Sequence, residues 1–125
     1  MPIVTITLYE GKPKELKLEL CRAVQRSVKA ALRVEHDNFH HRVREYDKDS
    51  MLVPPVASDG YVGIDIQFLS RRSREDKEEL YRLLHEEFAA LGIRDDDFIV
   101  VLSDPPPENW FIRGKTGTAI LAARG

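Results

Sequence analysis

The apolar positions change period several times along the chain. Residues 3–9, Ile3-Val4-Thr5-Ile6-Thr7-Leu8-Tyr9, are rich in β-branched side chains and bounded by Glu10-Gly11. That composition predicts a strand followed by a turn. From Pro13 onward, Leu16, Leu20, Ala23/Val24, Ser27/Val28 and Ala31 recur at i, i+3/i+4 spacing. They predict an amphipathic helix with Pro13 in its first turn. Residues 39–46 alternate loosely, as a second strand does, and residues 47–60 are turn-rich. The pattern then returns. Val62-Gly63-Ile64-Asp65-Ile66-Gln67-Phe68-Leu69 predicts a third strand. Ser73 is an N-cap candidate for a helix over residues 74–91, with Leu80, Leu83/Leu84, Phe88 and Leu91 on one face. Asp97-Phe98-Ile99-Val100-Val101-Leu102 predicts a fourth strand, stopped by Pro105-Pro106-Pro107. A glycine-bearing tail follows.

A shift of sixty residues exposes an internal repeat. Val4 falls on Ile64, Ile6 on Ile66, Leu8 on Phe68, Lys12 on Arg72, Glu15 on Glu75, Lys17 on Lys77 and Leu20 on Leu80. The repeat predicts an α+β fold of two β-α-β units related by pseudo-twofold symmetry, with both helices on one face of a four-stranded mixed sheet. The first unit spans about 2–46 and the linker about 47–60. The second unit spans about 61–104 and the tail about 105–125. Lys12 and Arg72 then occupy related places at the two ends of the sheet.

Composition narrows the function classes. At 125 residues and 14.3 kDa, one domain is expected over 1–125. The net charge is −2, from 19 Lys+Arg against 21 Asp+Glu, which speaks against a dedicated nucleic-acid binder. Arg42, Arg44, Arg71, Arg72 and Arg74 are offset by Glu75, Asp76, Glu78 and Glu79. No apolar run approaches the ~18 residues of a membrane span, and Met1-Pro2-Ile3 opens directly into a strand pattern. A cytoplasmic protein without membrane attachment is expected. The single cysteine, Cys21, lies among apolar positions and reads as a small core residue.

Most chemical motifs fail on spacing. Gly114-Lys115-Thr116 lacks the glycine that a phosphate-binding loop needs five positions earlier, where Asn109 stands. His36, His40 and His41 do not have the spacing of a metal site, because Asp37-Asn38 breaks the helix that would align them. Asp95-Asp96-Asp97 reads as a solvated turn. By itself Arg71-Arg72 reads as an ordinary solvated turn, with a carboxylate clamp as the alternative. Trp110 suits a core as well as a pocket wall. Pro2 is different in kind. Removal of Met1 would leave a secondary amine, and an α-amino group has a reference pKa of ~8. Apolar burial and nearby arginines both disfavour its ammonium form, which suits it to proton transfer near neutral pH. An ordinary terminal proline is the alternative.

Together these features resemble the tautomerase superfamily, the group of 4-oxalocrotonate tautomerase. The resemblance rests on Met1-Pro2 before a strand and Glu10-Gly11-Lys12-Pro13 leading a helix. Leu69-Ser70-Arg71-Arg72-Ser73 before Lys77 and Leu80-Tyr81, and Glu108-Asn109-Trp110 near the end, extend it over nearly the whole chain. The length resembles the fused, double-unit members, such as malonate semialdehyde decarboxylase and the cis-3-chloroacrylic acid dehalogenases, which are trimers. The resemblance implies Pro2 as catalytic base, with Arg72 and Arg71 near it holding a substrate carboxylate. It implies Trp110 as aromatic wall and Arg113 as a second anion contact. Asn38 falls where the decarboxylase branch has a catalytic aspartate, and His40 where 4-oxalocrotonate tautomerase has its second arginine.

The implied function is keto-enol isomerisation of a small 2-oxo or 2-hydroxy-enoic acid, without cofactor or metal, by a homotrimer. Decarboxylation, hydration or dehalogenation of a three-carbon acid is the alternative on this scaffold. A non-catalytic ligand-binding or regulatory protein is the alternative of another class.

Overall fold

The computed structural model describes residues 2–124; Met1 and Gly125 lie outside the described residues. Strand β1 (Ile3–Tyr9) is followed by helix α1 (Lys14–Leu32) and strand β2 (His40–Tyr46). Strand β3 (Val62–Gln67), helix α2 (Arg74–Ala90) and strand β4 (Phe98–Ser103) repeat that order. The sheet runs β2-β1-β3-β4. β1 is parallel to β2, β3 is parallel to β4, and the two units meet through the antiparallel pair β1/β3.

Alternation along the strands sets the layers. Val4, Ile6 and Leu8 of β1, with Val62, Ile64 and Ile66 of β3, point to the helices and are buried. They meet Leu20, Val24, Val28 and Leu32 of α1 and Leu80, Leu84 and Phe88 of α2. Each fully buried side chain of this size contributes about 1.5–3 kcal/mol of transfer free energy, so this single apolar layer is the main stabilising term. Both helices lie on this one face of the sheet. Arg26 of α1 and Glu87 of α2 bridge their exposed sides at 2.7 Å. Arg33 meets Asp76 with a two-pronged contact at 2.9 and 3.2 Å. Arg33 itself takes the left-handed conformation (φ 55°) that ends α1.

Helix entries follow the sequence. Pro13 stands at the N-cap of α1, one position before the first turn. Ser73 caps α2, its Oγ accepting from the Asp76 amide at 3.1 Å. The linker between the units is pinned at both ends: Tyr9 Oη donates to the Met51 carbonyl (2.6 Å), and Ser58 donates to Asp97.

Two expectations need correction. Asp97 is not a solvated turn residue but buried, within a 3-10 turn at Asp95–Asp97. Its carboxylate accepts from the Ser58 amide (2.6 Å), from Ser58 Oγ (2.7 Å) and from Arg94 Nε (3.1 Å). The Arg94 contact first, and the Ser58 hydrogen bonds after it, bring its pKa down to about 2 against the opposing effect of desolvation. The tail is also more ordered than its composition suggests. It forms a 3-10 turn (Pro107–Asn109), a hairpin of β5 (Phe111–Ile112) and β6 (Lys115–Thr116), and helix α3 (Gly117–Arg124).

Candidate active site

Pro2 lies one residue before β1 and is buried. Its carbonyl accepts the His40 amide at 3.0 Å, which starts the parallel β1/β2 ladder. Across the other edge of β1, Ile3 pairs with Gln67. Antiparallel pairing therefore sets the beginning of β1 against the end of β3 and the segment that leaves it. Pro2 shares a small pocket with Phe68, Leu69, Ser70 and Arg72 of that segment, with Val34 and His36 after α1, and with Arg124 at the end of α3. The pocket measures ≈ 30 Å³, about the space of one water molecule.

Arg72 is held from the far side. Its Nη1 donates to the carbonyl of Leu32, the last residue of α1, at 2.8 Å. A helix C-terminus carries partial negative charge and suits a guanidinium. The Nε atom is buried and has no hydrogen-bond partner among the described residues. Burial, ahead of the opposing influence of Asp76, lowers the pKa of this group, which stays cationic. An anchored cation with an unused donor is preorganised for an anion.

His36 is a site residue that sequence reasoning missed. Its Nδ1 accepts the Asn38 amide at 3.2 Å, which leaves the ring proton on Nε2. Burial first, and positive neighbours including Arg124 after it, push its pKa down. Arg124 was equally hidden, because it comes from α3, which the sequence pattern did not reveal.

The other anticipated residues divide. Arg71 does not share the Pro2 pocket. The chain bends at Leu69 and Ser70 after β3, and the two neighbouring arginines line different cavities. Arg71 lines a separate cleft of ≈ 530 Å³ with Asp104, the three prolines 105–107 and Leu121. Leu69 borders both cavities, so the two are adjacent. Trp110 does not wall the Pro2 pocket. It is 9% exposed, donates from Nε1 to the Pro105 carbonyl at 3.1 Å, and packs against Gly117 as the core of the tail. Arg113 sits at the tip of the β5–β6 hairpin, exposed, with φ 53°. Asn38 and His40 are exposed beside the pocket, contributing backbone amides to His36 and Pro2. Asp37 is drawn away to Lys29 and Gln25 of α1.

Among the described residues, no group of three His, Cys, Asp or Glu converges as a metal site, and no helix is long and apolar enough to cross a membrane. Two β-α-β units meet in one mixed sheet, and at their junction a buried Pro2 shares a pocket with the Leu32-anchored Arg72. The family model described as tautomerase enzyme matches residues 37–113. The chain belongs to this family.

Individual relatives agree. A probable tautomerase of Bacillus subtilis (strain 168), YusQ, is 26% identical over 116 residues, covering 88% of this chain and 91% of the relative. The crystal structure of malonate semialdehyde decarboxylase superposes with a TM-score of 0.84 at 22% identity, over 98% of each chain. A fused 4-OT, described as an asymmetric trimer, superposes with a TM-score of 0.82 at 20% identity, over 94% of this chain and 98% of that one.

Proposed function

We propose that this chain is a tautomerase acting on small carboxylated enols, with Pro2 as the base once Met1 has been removed. The observation that carries this reading is the juxtaposition of buried Pro2 with the Leu32-anchored guanidinium of Arg72. Phe68 and Val34 line the same pocket and put apolar surface beside them. In such surroundings a secondary amine is held neutral, because both burial and an adjacent cation disfavour its protonated form.

The reaction follows from these parts. Arg72 binds the carboxylate of a 2-hydroxy-enoic acid. The neutral Pro2 nitrogen takes the enol hydroxyl proton. As that O–H bond breaks, the C=O bond forms and the carbon end of the former double bond takes the proton back, completing a C–H bond. Negative charge develops along the conjugated system between those two steps. Arg72 stabilises it, and a charge donor of this kind contributes ~10²–10³-fold in rate. The cleft beside Leu69 has room for the body of the substrate, with Arg71 at its rim for a second polar group. Asn38, His40 and Arg113 are exposed, within reach of a neighbouring subunit, while Trp110 supports the tail that carries Arg124.

Tautomerisation is favoured over decarboxylation or hydration because no carboxylate lines the Pro2 pocket among the described residues. Asp37 is engaged by Lys29 and Gln25, and an amide at Asn38 cannot act as a base. We infer further that the chain works as a homotrimer in the cytoplasm, requiring no cofactor, organised as one domain with the two units described.

The test is the Arg72→Ala variant assayed for ketonisation of phenylenolpyruvate. A loss of ~10²-fold or more in kcat/KM, with an unchanged circular dichroism spectrum, is expected. A wild-type rate in a correctly folded variant would contradict the reading.

A further inference from the structure

The sixty-residue repeat is kept in three dimensions: α1 starts at Lys14 and α2 at Arg74. By the same step Pro2 corresponds to Val62, Phe68 to Leu8, Arg72 to Lys12 and Val34 to Arg94. Leu8, Lys12, Val62 and Arg94 all line one cavity at the opposite end of the sheet. The molecule thus holds a second version of the Pro2 pocket. That version is open, at ≈ 360 Å³ against ≈ 30 Å³. No counterpart of α3 and Arg124 is among the residues that line it.

We propose that this cavity is a second ligand site, for a small monocarboxylate with an apolar body, and that it binds without turnover. Its volume is in the range of cavities that hold small organic ligands. Leu16 of α1 and Leu91 and Ile93 after α2 give it apolar walls. The charges lining it are two cations, Lys12 and Arg94, against one acid, Asp97; outside the lining, Asp59 feels the charge of Lys12 but is paired with Lys48. The acid is already satisfied by Ser58 and Arg94. Lys12 has no carboxylate within 4.0 Å among the described residues and is half-buried at the cavity rim. One uncommitted positive charge over an apolar floor selects a monoanion rather than a neutral or cationic molecule. Proton transfer by a chain-terminal amine, the chemistry proposed for Pro2, is excluded here by covalent structure. Val62 occupies the place of Pro2, and its nitrogen is a chain amide with no basic lone pair. The site therefore retains recognition and lacks the base.

The test uses the full chain carrying Arg72→Ala, which silences the anion contact of the first pocket. Benzoate is titrated into the nitrogen-15-labelled protein while backbone amide resonances are followed. Saturable shifts are expected at Gly60, Tyr61, Gly92 and Arg94. The affinity should fall at least ~10-fold when Lys12→Glu is added, and be largely kept with Lys12→Arg. The spectrum of each variant without benzoate reports that it is folded. Absence of saturable shifts at those amides up to about 20 mM, well past a millimolar Kd, would overturn the proposal. So would shifts confined to Phe68–Arg72, or shifts indifferent to the charge at position 12.

Discussion

At the scale of single residues, two side chains carry much of the account, and they are charged groups treated differently by their surroundings. Arg72 is fixed by the Leu32 carbonyl and keeps an unused buried Nε. Replacing it with lysine keeps the charge but loses the planar fork. Arg72→Lys is therefore expected to recover only part of the activity lost in Arg72→Ala, with the deficit chiefly in KM, as steady-state kinetics on an enol acid would register. Asp97, at the other end of the sheet, has a structural role. Its pKa is about 2, below its unfolded value, so its stabilising effect is complete above about pH 4 and is lost as the pH falls toward 2. The expected contribution is about 1–2 kcal/mol, allowing for solvent screening at the partly exposed Arg94. Urea unfolding at pH 7, 4 and 2.5 checks this. Asp97→Asn should be less stable than wild type at pH 7, and the gap should narrow in acid. A constant gap would mean that the loss is one of packing rather than of charge.

At the scale of elements, the repeated units were legible because each is long and strongly periodic. Leu16 through Ala31, and Leu80 through Leu91, mark their helices, and the sixty-residue phase tied the units together. Ser73 was legible as a cap because capping is local chemistry. The tail was not, since two-residue strands and an eight-residue helix leave almost no pattern. Trp110 and Gly117 take their places through tertiary contacts with Pro105, Pro107 and, across the chain, Leu69. For the same reason the sequence suggested Pro2 and Arg72, yet not His36 or Arg124, and it could not separate Arg71 from Arg72.

Gly117 tests the role of the tail. A Cβ there would run into the Pro107 carbonyl and lie 2.8 Å from Leu69 Cδ1. Gly117→Ala should cost roughly 1–3 kcal/mol in thermal or urea unfolding, as overpacking does. It should also lower activity, because α3 delivers Arg124 to the Pro2 pocket. Full stability in this variant would show that α3 docks elsewhere in solution.

At the scale of the whole molecule, the helices cover one sheet face and leave the other open. Ile99 and Val101 of β4 are 51% and 47% exposed there. Thr5 of β1 and Asp65 of β3 continue the row that passes through Val101. Such a face on a small chain is suited to self-association. The proposed trimer would bury that face, and light scattering is then expected to report about three times 14.3 kDa at micromolar concentration. The double variant Ile99→Lys/Val101→Lys should be monomeric yet folded, since Asp65 can pair with the new charge at 101. A monomeric wild type would refute the assembly.

The central claim is that the nitrogen of Pro2 is the base. It is tested most directly by ketonisation of phenylenolpyruvate with wild-type protein, shown by intact mass to have lost Met1, beside Pro2→Ala treated in the same way. The account predicts turnover by the wild type and a loss of at least ~10²-fold in the variant, the usual contribution of a general base. Equal rates in the two proteins would contradict it.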